Sequence, residues 1–147
     1  MASHRQKVID LVRDAATAVN YSGTFLNSSR NQLSLYTPED PAPYIHLFND
    51  FRLERISNGG RILNSSLRRT SLLITFLYQD TQESTPEQQE AIMEQAETLC
   101  DAFVLQFQDD GEQQVEAVST EPVYRLTAGI LTGVSLTMTI VVDVECS

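Results

Sequence analysis

Residues that build metal or redox centres are scarce in this chain of 147 residues, which has no tryptophan, two cysteines and two histidines. Cys100 and Cys146 do not form a paired zinc or redox spacing, and His4 and His46 lie far apart in sequence. A zinc site needs several such ligands close together. We therefore expect no metal and no other cofactor.

Positive charge and long apolar runs are also in short supply. The chain has 10 basic and 20 acidic residues, so its net charge is −10, and a general nucleic-acid binder would repel phosphate at that balance. The most apolar stretch, residues 130–144, contains four hydroxyl residues and Asp143, whereas a membrane helix needs about 20 mainly apolar residues. We expect no membrane span. The first residues lack the apolar segment of a secretory signal, so we expect the protein to stay in a cytoplasm.

Motifs for catalysis are missing from the sequence. Neither the GxGxxG nor the GxxxxGK[ST] phosphate-binding pattern occurs. Cys100 falls near the apolar stripe of a predicted helix, where a small buried hydrophobe is the ordinary interpretation. His46 lies on the polar side of a predicted strand, where a surface or packing role is more common than that of a base. We therefore expect a protein that is not an enzyme.

The first part of the chain predicts a helix followed by a loop. Hydrophobic residues make up 41% of the sequence, enough for one domain spanning residues 1–147. Ser3 and Gln6 have the spacing of a capping box, and apolar residues then recur at helical spacing, which predicts a helix over 4–19. Residues 21–43 contain three of the five prolines and predict a loop, with room for a short strand at 33–36.

The middle of the chain predicts an extended β-hairpin over residues 44–79. Ile45 and Leu47 alternate with polar residues, which predicts a strand with one buried face. Turn-forming residues at 57–60 then indicate a reversal of the chain. The returning strand is apolar on both sides over 72–78, so we expect both of its faces to be covered there.

The last part predicts a second helix and closing strands. Thr85, Pro86 and Gln88 are a strong helix start, and the apolar spacing predicts a helix over 86–109. Closing strands follow over 113–145, with a break at Glu121 and Pro122. This order predicts an α+β domain with a mainly antiparallel, mixed sheet of four to five strands, two helices on one face and an extended hairpin.

Charges are segregated along the sequence. From residue 70 to residue 124 there are twelve acidic residues and no lysine or arginine. Five acidic residues fall together on the outward side of the second predicted helix: Glu87, Glu90, Glu94, Glu97 and Asp101. Half of the basic residues lie on the predicted hairpin: Arg52, Arg55, Arg61, Arg68 and Arg69. Selection for helix stability alone would have placed lysines among the glutamates.

Two interpretations of this segregation stay open. The arginines and the acidic helix of another copy can form a head-to-tail contact, which closes into a ring when the rotation between copies allows it. Alternatively, the acidic side chains are merely solvated and keep the protein soluble. A metal cage is disfavoured, because side chains on an outward stripe do not converge on one point.

The order of elements resembles that of a known family. The run of residues 71–78 leading into the helix at Thr85, and the closing run of residues 133–140, resemble the tail terminator, or tail-completion, proteins of tailed bacteriophages. The resemblance implies a non-enzymatic virion structural protein of the head–tail neck. Such proteins form a ring, commonly of six subunits, that caps the tail and joins it to the head connector around the DNA channel.

The resemblance also implies partners and location. It implies further copies of the chain, neighbouring tail-tube and head-connector proteins, and DNA that passes without sequence-specific binding. It places the protein in the virion, and in the host cytoplasm during assembly. We expect the arginines to contact a neighbouring subunit or ring, and the acidic residues to be their partner or to line the channel. A head–tail adaptor or stopper ring, or a non-viral α+β ligand- or peptide-binding domain, stays open as an alternative.

Overall fold

A computed structural model describes residues 4–20, 22–29, 42–55, 57–58, 61–62, 67–79, 85–109, 113–125 and 131–143. Its helices are α1 (His4–Val19) and α2 (Pro86–Asp109), which confirms both predicted helices. Its strands are β1 (Thr24–Ser28), β2 (Tyr44–Phe48), β3 (Glu54–Arg55), β4 (Ser57–Asn58), β5 (Arg61–Ile62), β6 (Leu67–Gln79), β7 (Gln113–Arg125) and β8 (Leu131–Asp143). Within these ranges neither helix is long and apolar enough to cross a bilayer.

The main sheet has the strand order β1-β2-β6-β8-β7, and β3 pairs with β6 beyond the end of β2. Only β1 and β2 are parallel, and every other pairing is antiparallel. β4 and β5 form a separate two-stranded sheet. The predicted α+β class with a mainly antiparallel, mixed sheet is confirmed, but the described residues contain more strands than the four to five predicted.

Two predictions about the strands were wrong. β1 lies inside the predicted loop over 21–43, and it is specified by parallel pairing with β2 and by the Asn27 side chain, which donates to the carbonyl of Leu47 at 3.0 Å. The predicted break at Glu121 and Pro122 does not occur. β7 runs through both residues because it is an edge strand, where proline is tolerated without its N–H. The short strand predicted at 33–36 lies outside the described residues.

The predicted hairpin over 44–79 is present with an irregularity. Leu47 pairs with Ile74 and Glu54 pairs with Arg69, so residues 48–53 lie opposite the shorter segment 70–73. This bulge is held by Arg5 of α1. The Arg5 guanidinium donates to the backbone carbonyls of the bulge at Asn49, at 2.6 Å, and at Phe51, and it stacks over the Phe51 ring at 4.2 Å.

Both helices lie on one face of the sheet and bury the main core against it. The inward sides of β6 and β8 meet α2 through Phe76 and Phe103, whose ring centroids are 5.5 Å apart, and Phe107 stacks on Phe103. Burying one such side chain contributes roughly 1.5–3 kcal/mol to folding. This core fixes which side chains of each strand point towards the helices and which point away.

The side of the sheet away from the helices is called here the outer face. A second, smaller cluster of Tyr44, Leu77 and Leu131 lies there. All five residues of β2 are buried, so the prediction of one buried face for this strand was wrong. The segment over 72–78 of β6 is covered on both sides around residues 74–77, as predicted.

Candidate interaction surfaces

The predicted acidic stripe of α2 forms a solvent-exposed surface. The helix starts with a capping box, in which the Gln88 amide N–H donates to Thr85 Oγ1 at 3.2 Å and the Thr85 amide N–H donates to Gln88 Oε1 at 2.8 Å. Opposite its buried stripe stand the side chains named here the acidic face: Glu87, Glu90, Glu94, Glu97 and Asp101. All five are exposed, and the ion pairs found among the described residues involve none of them. Leu105, 62% exposed, continues this face one turn beyond Asp101.

A groove of about 570 Å³ borders the acidic face, between α2 and the ends of α1 and β6. It is lined by Val19, Tyr78, Ala91, Glu94, Gln95, Thr98, Leu99 and Ala102. Glu94 is the one charged side chain in this lining. Tyr78 is partly buried here, and burial raises its pKa. The groove is open and mostly apolar, with an acidic rim.

The structure divides the predicted arginine set. Arg52 and Arg55 are exposed, on the bulge and on β3. Arg68 is only 7% exposed, because strand alternation places it on the helix-facing side of β6 with Leu72, and its Nη1 donates to the carbonyl of Leu67. Arg68 therefore offers little surface to a partner. Arg61 lies on β5, and its side chain is outside the described part of the structure.

Arg69 points to the outer face and is engaged within the chain. Its Nε and Nη2 donate to the carboxylate of Glu116 at 2.9 and 3.1 Å. The hydrogen bond and the opposite charge raise the pKa of Arg69, and the hydrogen bond lowers the pKa of Glu116. This pair is not predictable from the local sequence, because the partners are 47 residues apart and Glu116 reaches Arg69 from the bulge of β7.

The arginine cluster is less basic in space than in sequence. Asp50 and Glu54 line a polar groove of about 350 Å³ together with Arg52 and Arg69. Arg52 and Arg55 lie on the β3 side of β6, whereas α2 packs across β8 and reaches β6 and β7. The exposed arginines and the acidic face thus occupy different sides of the domain, and no hydrogen bond or ion pair between them is found among the described residues.

The outer face of β6, β8 and β7 is rich in hydroxyl groups, of which those of Ser71, Thr137 and Ser119 are exposed and that of Thr75 is buried. Cross-strand partners form three rows, namely Ser71–Thr139, Leu73–Thr137–Ser119 and Thr75–Ser135–Glu121. Six of these eight residues carry hydroxyls. In β8 the hydroxyl residues alternate with apolar residues along the sequence, which indicates only the polar side of a strand. Their lateral continuation onto β6 and β7 follows from the pairing.

His46 is buried on the outer face rather than exposed. Its Nε2 lies 2.7 Å from Ser28 Oγ, its Nδ1 has no hydrogen-bond partner within the described part of the chain, and burial lowers its pKa to about 4. A nucleophilic serine needs a base that a third group orients, and no such group contacts His46 Nδ1 among the described residues. Cys100 is buried as predicted, and burial raises its thiol pKa to about 12. The described residues hold no cluster of three or more potential metal ligands.

Comparison with known proteins gives no relative, because no family model matches the sequence and no curated protein matches it. Function therefore has to be inferred from the fold and from the acidic face, the exposed arginines and the outer face.

Proposed function

We propose that the protein is a structural component of a bacteriophage virion, a tail terminator-like neck protein. It assembles into a ring, of six subunits in the resembling family, that caps the tail and joins it to the head connector around the DNA channel. The observation that carries this proposal is the separation of charge. The acidic face lies on α2, which packs mainly across β8. The exposed Arg52 and Arg55 lie at the other edge of β6, on the bulge and on β3.

Separated charges of this kind suit a contact between copies. Glu90 with Glu94, and Glu97 with Asp101, are like-charge pairs that each destabilise a helix by roughly 0.2–0.5 kcal/mol. A head-to-tail contact joins two different patches, so the arginines of one copy can offset the repulsion on the next. Leu105 adds an apolar side chain to the same face, as the centre of an interface requires.

The architecture also supports the proposal. Both helices lie on one face of a mainly antiparallel sheet, and the elements follow the order that the resemblance to tail terminators is based on. The activity proposed is assembly. An adaptor or stopper ring of the same neck would use the same surfaces.

Reversing one exposed charge tests the contact. We expect Arg55→Glu to abolish the oligomer that sedimentation detects, because it places a carboxylate against the acidic face of the next copy. Arg13→Glu on α1 is the matched control, since Arg13 is exposed and pairs only with Asp10 on its own helix among the ion pairs described. Adding Glu94→Arg to Arg55→Glu should restore assembly. Equal oligomer sizes for the two single variants would exclude this contact. Arg68 is unsuitable for this test because it is buried.

A second candidate is a small ligand- or peptide-binding domain, favoured by the groove beside the acidic face. This candidate predicts a monomer or a dimer, and no larger oligomer, at every concentration. It also predicts that a bound ligand shifts the NMR signals of groove residues such as Ala91 and Ala102, and leaves those of Arg52 and Arg55 unchanged.

A further inference from the structure

Among the residues that the structure describes, the outer face presents almost no unbalanced positive charge. The guanidinium of Arg69, which borders the hydroxyl rows, is held by both carboxylate oxygens of Glu116. Arg52 stands at one end of this face, in a groove shared with Asp50 and Glu54. Among the eight residues of the hydroxyl rows, the one charged side chain is Glu121.

The exposed apolar side chains lie on the other side of the sheet. Leu105 is on the acidic face of α2, and Val118, 45% exposed, pairs with Met138, whose side chain is in the core below the helices. These two are the exposed large hydrophobic residues of the described chain. Single exposed apolar residues are normal on a protein surface, and neither of these two lies on the outer face.

We infer that the exposed part of the hydroxyl rows of the outer face, at Ser71, Thr137 and Ser119, lines the DNA channel of the assembled ring, an inference that rests on the proposed function. Duplex DNA is held by proteins chiefly through lysine and arginine contacts to phosphate. A lining of Ser71, Thr137 and Ser119 offers neutral hydroxyl groups, and the Arg69–Glu116 pair cancels its own charge. Such a wall keeps its water layer and lets a polyanion slide without being retained. The acidic face then serves contacts between subunits and does not line the channel.

Adding positive charge to this face tests the inference. The variant Ser119→Lys with Thr137→Lys places two lysines on neighbouring strands of the outer face. Thr17→Lys with Ala18→Lys places two on exposed positions of α1 and is the matched control. Preassembled rings of each are mixed with a small covalently closed duplex circle, and with the same circle cut once. Cut DNA can thread a ring, whereas closed DNA cannot.

We expect the outer-face variant to retain the cut DNA at least about tenfold more strongly than the wild-type ring, with retention lost as salt rises, and not to retain the closed circle. The α1 control should retain the cut and the closed DNA to the same extent. Equal retention of both forms by the outer-face variant would place this face outside the ring. Retention of neither form by assembled rings would show that DNA does not reach this face. Failure of this variant to assemble while the wild type does would show that the face is a subunit contact, and either result overturns the inference.

A second variant removes the dependence on inserted lysines. Glu116→Gln keeps the shape of the side chain but frees the charge of Arg69, so we expect retention of cut DNA in the same sense, reversed by adding Arg69→Gln. Unchanged DNA retention by Glu116→Gln rings would count against the inference. Sedimentation of the wild-type protein distinguishes failure of this inference from failure of the proposed function. A chain that never forms a ring contradicts the proposed function itself.

Discussion

His46 is a titratable side chain enclosed without a charged partner. It faces Leu26 and Ser28 across β1 and pairs with Thr75 of β6, so the described strands around it carry no carboxylate that would stabilise an imidazolium. Burial therefore keeps the ring neutral and lowers its pKa to about 4, below the usual value of 6.5. This side chain makes the folding of the β1–β2 edge depend on pH.

The sign of that dependence follows from the lowered pKa. Above about pH 6.5 the ring is neutral in both states, and its contribution to stability is fully present; between about pH 6.5 and pH 4 only the unfolded chain takes up the proton, so stability falls. We expect unfolding free energy to drop by about 2–3 kcal/mol more in the wild type than in His46→Gln on going from about pH 7 to pH 4.5. Urea unfolding measures this. Parallel losses in both proteins would refute the assignment.

At the scale of elements, local sequence signals were sufficient to predict the helices. The prediction of the strands was less accurate, because strands depend on pairing between residues that are distant in sequence. The capping box and the apolar spacing that set the bounds of α2 both lie within or next to the helix, so the local sequence was sufficient to predict those bounds. β1 has no comparable local pattern, and it exists because β2 offers a parallel edge. Pro122 indicated a break because a central strand rejects proline, but the position of β7 at the sheet edge depends on the whole topology.

The capping box of α2 gives a prediction at this scale. Thr85 Oγ1 accepts the amide of Gln88 at the exposed start of the helix. Thr85→Ala removes that acceptor, and we expect a loss of about 1 kcal/mol in unfolding free energy. Thr85→Ser keeps the hydroxyl and should lose much less. Thermal or urea unfolding of the two variants checks this, and equal stabilities would show that the cap does not contribute.

At the scale of the whole molecule, the candidate surfaces could be predicted only in part. The acidic face follows from helical spacing alone, because neighbouring turns of one helix decide it. The arginine set could not be resolved in the same way. Alternation separates Arg68 from Arg69, but the side that meets the helices is set by the packing of β8 and α2. Glu116 enters the cluster through two strand pairings that no short segment encodes.

The charge map of the folded domain differs from that of the sequence accordingly. Carboxylates from the bulge, β3 and β7 stand among the arginines, so the exposed Arg52 and Arg55 are the ones that remain for a partner. The side chains of the acidic face are exposed and take no part in the ion pairs found among the described residues. Assembly driven by these patches should weaken as salt screens them, since the Debye length shrinks from roughly 10 Å at 0.1 M to 3 Å at 1 M salt.

The mass of the wild-type protein in solution tests this account most directly. Sedimentation across a range of protein concentrations, at low and at high salt, distinguishes a ring from a monomer without any substitution. We predict one discrete closed oligomer at low salt, which dissociates to monomers as salt rises. A monomer at every concentration and salt would contradict the head-to-tail ring.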